Sequence, residues 1–168
     1  MATFRITHEI NCNAETFWKL FFDPEFNTKM FKEALAFPEF EVLEFRETDA
    51  TIVRKVRAMP KLNVPGPVAK LLGSGFRYTE EGTFDKATQK WRWKMIPSAL
   101  ADKLRQEGTM WLEPIGDDKI RRVAELITEA KVFGIGGLIE SSAEKQMREG
   151  WDASAVFFNK QLAARAAS

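Results

Sequence analysis

Four polar side chains stand where strand alternation sets them among apolar neighbours. His8 shares one face with Phe4, Ile6 and Ile10; Arg54 shares one with Ile52 and Val56; Tyr78 and Glu80 share one with Phe76 and Phe84. Burying such a group without a partner costs roughly 2–7 kcal/mol, so each must find a hydrogen bond, solvent or a bound molecule. Gathered in one apolar pocket, the four would orient a ligand's hydroxyl, carbonyl or carboxylate. The structural alternative for His8 is a hydrogen-bonded core histidine or one at the sheet margin. A His or Glu in apolar surroundings can also act as acid or base. Nothing in the spacing brings two reacting groups within reach of one another, so no catalytic residue is assigned.

Other chemistries are excluded or weak. A single histidine and a single cysteine, Cys12, rule out a His-rich zinc site, Cys-x-x-Cys and an internal disulfide framework. No metal ligand and no cofactor is assigned. Phe133-Gly-Ile-Gly-Gly137 sits between strand and helix but lacks both Gly-x-Gly-x-x-Gly and Gly-x-x-x-x-Gly-Lys-Ser/Thr, so its glycines are read as a sharp turn. Trp91-Arg92-Trp93-Lys94 mixes stacking rings with cations, as a single-strand nucleic-acid binder does. Its period is two, however. Trp91, Trp93 and Met95 then share an inward face, and no nucleic acid is expected.

These residues need elements to hold them. Phe4 to Ile10 alternates as a first strand; Asn13 caps a short helix, and Asp23-Pro24 starts a second. Strand patterns follow at Phe40–Glu47, Thr51–Met59, Phe76–Asp85, Lys90–Ile96, Asp102–Glu113 and Lys119–Val132. Successive hairpins predict an antiparallel meander of six to seven strands, an α+β fold in one domain over residues 1–168. A long helix from Ile135 to about Ala164 closes it. Ile139, Ala143, Met147, Trp151, Phe157 and Phe158 recur near helical spacing, with Glu144, Arg148, Glu149, Asp152 and Lys160 mostly opposite. Ala143, Gly150 and Ser154 make the middle of the apolar face small. Such a helix either packs closely on a sheet or leaves a hollow. In the second case Ala143, Met147, Gly150 and Ser154 line it with Trp91 and Trp93.

The segment Pro60–Gly75 breaks the rhythm with three prolines and three glycines. It reads either as a surface connection or as an apolar lid in which Leu62, Val64, Val68, Leu71 and Leu72 cover an entrance. Lys61 and Lys70 beside them allow at most weak peripheral membrane contact.

Bulk composition agrees with a greasy interior. Hydrophobic residues make up 45% and charged residues 29%, and 14 Phe and 5 Trp accompany one Tyr. A net charge of +1 offers no general field for polyanions. No stretch approaches the roughly 18 apolar residues of a membrane helix, and no basic leader precedes the first strand, so a cytoplasmic protein is expected.

The order of elements resembles the helix-grip fold of the START-like (SRPBCC) superfamily, and within it a bacterial START-like family of unassigned function. The likeness rests on Phe4-Arg-Ile-Thr-His-Glu-Ile-Asn-Cys-Asn-Ala-Glu-Thr-Phe-Trp18, on Asp23-Pro24-Glu25-Phe26, and on the Pro/Gly-rich break from Pro60 to Gly75. Gly82-Thr83-Phe84 and the final helix through Trp151 complete it. The resemblance implies a curved sheet gripping the C-terminal helix around a cavity for a lipid, sterol, polyketide or other hydrophobic compound. The expected function is a carrier or sensor for a hydrophobic small molecule. The alternatives are an acid–base enzyme of the cyclase or dehydratase kind in the same cavity, and a structural or partner-binding domain with a filled core.

Overall fold

Seven antiparallel strands run in the order β1-β7-β6-β5-β4-β3-β2, so the first strand docks beside the last. The computed structural model describes residues 1–168. β1 (Ala2–Ile10) leads into α1 (Ala14–Phe21) and α2 (Pro24–Lys29), which continues as a π-helical turn over Met30–Ala34. β2 (Glu39–Glu47) and β3 (Thr51–Met59) follow, then α3 (Gly66–Leu72). β4 (Tyr78–Asp85), β5 (Lys90–Pro97), β6 (Leu104–Gly116) and β7 (Lys119–Ala130) complete the meander, and α4 (Gly136–Ala167) lies across it. This is the α+β helix-grip fold.

Local chemistry sets the early elements. Asn13 Oδ1 accepts from the Thr16 N–H at 2.8 Å and caps α1, and Asp23 Oδ1 accepts from the Glu25 N–H at 3.0 Å and caps α2. Phe17 and Phe26 then turn inward, and both pack against Phe158 of α4, at 4.8 and 4.7 Å between centroids. The short helices thereby join the sheet and the C-terminal part of α4 in one core.

Strand boundaries differ from the sequence pattern by up to three residues, and three of the differences have a plain backbone reason. Gly75 takes a φ of 75°, and the Arg77 N–H goes to Ser98 Oγ, so β4 begins at Tyr78 rather than Phe76. Leu100 (φ 57°) starts a turn whose carbonyl accepts from both Lys103 and Leu104, which delays β6 to Leu104. β6 runs on to Gly116 because a bulge between Pro114 and Gly116 absorbs the proline's missing donor. The segment Pro60–Gly75 carries a defined helix, α3, as well as loop.

Candidate functional site

Register places the inward side chains in rows across the sheet. Glu80, Met95, Gln106 and Thr128 are successive partners across β4, β5, β6 and β7. The next row reads Arg54, Gly82, Trp93, Gly108 and Leu126, and the one after it Ile52, Phe84, Trp91, Met110 and Ala124. The two glycines in the middle row have a purpose. A Cβ on Gly82 would meet the Trp91 ring at 2.0 Å, and one on Gly108 would meet the Trp93 ring at 2.5 Å. Both indoles therefore lie down on the sheet instead of standing toward α4.

Between those rows and α4 is a cavity of about 270 Å³, lined by 34 residues of which 21 are hydrophobic. α4 contributes Ala143, Met147, Gly150, Trp151 and Ser154; the π-helical turn and the chain after it contribute Met30, Phe31, Leu35 and Phe37. Leu62, Val64, Val68 and Leu72 line it as well. Val68 is buried against Ala130 and Ile139, while Gln146 of α4 accepts from the Asn63 N–H (3.2 Å) and donates to the Lys61 carbonyl (3.1 Å). A second, shallower hollow of about 810 Å³ lies on the outer sheet face, but only 4 of its 17 lining residues are hydrophobic. Most of its charges pair off, as Glu81 does with Lys55 and Lys94 at 3.4 Å each.

Several polar groups lining the cavity carry shifted acidities. Arg54 is 5% exposed; its Nη1 donates to the Phe21 carbonyl at 2.7 Å, and its plane lies 4.5 Å from the Phe21 ring and 5.0 Å from Trp91. Its Nη2 is 4.0 Å from Glu80 Oε1, beyond a hydrogen bond, and its Nε has no partner. Burial lowers the Arg54 pKa, against the pull of Glu80. Burial raises the Glu80 pKa, against the pull of Arg54, and raises that of Tyr78, with Glu80 adding to it.

Arg54, Tyr78, Glu80, Trp91 and Trp93 all line this cavity with the α4 residues. His8 does not. It sits at the margin where β1 meets α4, with Nε2 2.6 Å from Asp152 Oδ1 and Nδ1 3.1 Å from Arg122 Nη2. The pleat does turn His8 inward, but Arg122, its partner on β7, stands between it and the hollow. Leu71 also departs from expectation: it faces solvent, because one turn of α3 cannot present both Leu71 and Leu72 to the same side.

The residue that sequence reasoning missed is Arg122. It is 3% exposed and lines the cavity; Nη1 donates to Ser154 Oγ (2.9 Å) and Nη2 to the Trp151 carbonyl (2.9 Å). Burial pushes its pKa down to about 9, with Asp152 opposing. The signal was there: Arg122 alternates with Ile120, Ala124, Leu126 and Ala130, the pattern that singles out Arg54. Asn27, whose Oδ1 is also buried without a partner, lines the cavity too and carries no such signal from its short helix. No cluster of three His, Cys, Asp or Glu side chains able to hold a metal occurs.

The profile of a family described as "Protein of unknown function (DUF2505)" matches residues 5–162. The chain belongs to the DUF2505 family. No curated protein matches it significantly. Solved structures place this DUF2505 chain within the START-like fold. TTHA0849 from Thermus thermophilus is similar at 22% identity and a TM-score of 0.69, over 98% of this chain and 99% of that one. A START superfamily protein from Mycobacterium smegmatis is similar at 16% identity, TM-score 0.61, over 95% and 98%. An aromatase/cyclase, Zhui from a Streptomyces strain, matches at 11% identity, TM-score 0.61, over 96% and 95%. At these identities the likeness is one of fold.

Proposed function

We propose that this protein is a carrier or sensor that encloses a hydrophobic small molecule between the sheet and α4. The observation that carries the reading is the cavity itself: about 270 Å³, mostly apolar walls, and a handful of buried polar groups set among them. A molecule hiding roughly 300 Å² of apolar surface gains about 7 kcal/mol gross at ~25 cal/mol/Å². Ordering costs remove several kcal/mol, which leaves micromolar-scale binding unless the polar groups contribute. Affinity of that order needs no catalytic chemistry. Native mass spectrometry of protein purified from its own host tests the reading. A co-purifying lipid-like mass released on denaturation supports it; a protein that carries nothing and binds no member of a hydrophobic panel argues for a filled, structural core.

One observation favours a second reading. Glu80 is a carboxyl of raised pKa inside an apolar cavity, beside Arg54 and Tyr78, as a general acid requires. An acid–base enzyme built here would lose turnover in Glu80→Gln while its ligand affinity changed little. Parallel loss of both returns Glu80 to a binding role.

A further inference from the structure

Arg122 holds a full charge at the cavity wall with no carboxylate touching it. Its contacts are Ser154 Oγ, the Trp151 carbonyl and His8 Nδ1, all neutral, and the Trp151 ring 4.6 Å below its plane. Its Nε–H is sealed from solvent without an acceptor. A guanidinium has donors only, so His8 Nδ1 must accept from it. The imidazole then carries its proton on Nε2, donates it in a hydrogen bond to Asp152, and stays neutral. Asp152 is thus on the far side of a ring, with its carboxylate 69% exposed. Arg54, by contrast, faces Glu80 across 4.0 Å. The charged residues of the wall are Arg54, Glu80, Arg105, Arg122 and Glu129; Arg105 pairs with Glu107, Glu129 with Lys131, and Arg54 faces Glu80, so Arg122 alone has no carboxylate within salt-bridge distance.

An unneutralised buried cation with an orphan donor is costly unless something completes it. We propose that the ligand of this cavity is an amphiphile with a single carboxylate head, that Arg122 neutralises this head, and that the apolar tail runs over Trp93 toward α3. The inference rests on the carrier reading and narrows it. Arg122 lacks both a counter-charge and an acceptor for its Nε–H, and a carboxylate supplies both; a neutral sterol or alcohol would leave the charge as it is.

His8 is the only histidine in the chain, so its ring signals identify themselves in an NMR spectrum. It lies behind Arg122, outside the cavity, and so reports on Arg122 without touching the ligand. Wild-type protein is titrated with decanoate, decan-1-ol and methyl decanoate, which share a chain and differ in head. Decanoate should bind at least about tenfold tighter than the other two, and it alone should move the His8 ring resonances. Arg122→Met should abolish that preference, whereas Arg54→Met should keep it. Equal affinity for the three heads overturns the inference and leaves the carrier reading standing. A His8 signal unmoved at saturating decanoate overturns the placement at Arg122. If none of the three binds, the inference falls, and the carrier reading is decided separately by the native mass spectrum. The wild-type arms decide even if a variant fails to fold.

Discussion

Gly150 sits midway along the cavity face of α4, and a Cβ built there would touch only Leu35 Cδ2, at 4.0 Å. Gly150→Ala should therefore stabilise the protein by about 1 kcal/mol through helix propensity alone, with binding intact. Gly150→Leu should fill the hollow, lowering affinity while the fold survives. Ser154 behaves differently, because it holds Arg122. Ser154→Phe should destabilise by roughly 1–3 kcal/mol through overpacking, before counting the lost hydrogen bond. Urea denaturation and ligand titration of the three variants separate these effects. His8 adds a pH dependence. Burial lowers its pKa below the ordinary 6.5, with the Asp152 hydrogen bond opposing and the Arg122 charge assisting. The unfolded chain thus binds a proton before the folded one does. Stability should be fully present above about pH 6.5 and decline as pH falls through the lowered folded-state value. His8→Gln should flatten that decline, read as melting temperature against pH.

At the scale of elements, the carrier reading makes α3 and its flanks the gate. Val68 anchors the segment in a small cluster with Ala130 and Ile139, and Gln146 ties Lys61 and Asn63 to α4. Gln146→Ala should speed ligand exchange in stopped-flow measurements with little change in melting temperature. Val68→Ala should cost about 2 kcal/mol. If exchange is unaffected in both, entry occurs elsewhere. The sequence made much of this frame legible because the signals are local: the caps at Asn13 and Asp23, the period-two faces, and the small middle of α4. What escaped it is non-local. Nothing in residues 2–10 says that β1 pairs with β7 rather than β2. Nor does anything near His8 say that Arg122 will lie opposite it and screen it from the hollow. The π-helical turn arises from a Leu35 N–H reaching back to the Met30 carbonyl, a choice made by packing rather than by propensity.

For the molecule as a whole, the cavity means that the ligand-free fold forgoes packing that an occupant restores. A ligand that binds only the folded state at a hundred times its Kd adds about 2.7 kcal/mol. For a domain of this size that is a rise of roughly 5–11 °C in melting temperature. Thermal scans with and without decanoate check this, and an unchanged transition at saturation contradicts enclosure. No helix of the protein is long and apolar enough to cross a membrane. In the carrier reading, the shelter for an apolar tail is the space between the sheet and α4.

The indoles laid flat over Gly82 and Gly108 give the protein an optical consequence. Trp91, Trp93 and Trp151 all line the cavity, and Trp93 stacks on Trp151 at 5.7 Å. They are three of the chain's five tryptophans. The emission of the unlabelled protein is therefore dominated by fluorophores in the walls of its own hollow. A chain brominated along its length should quench that light in proportion to occupancy, so the filling of the cavity is visible by colour and intensity alone.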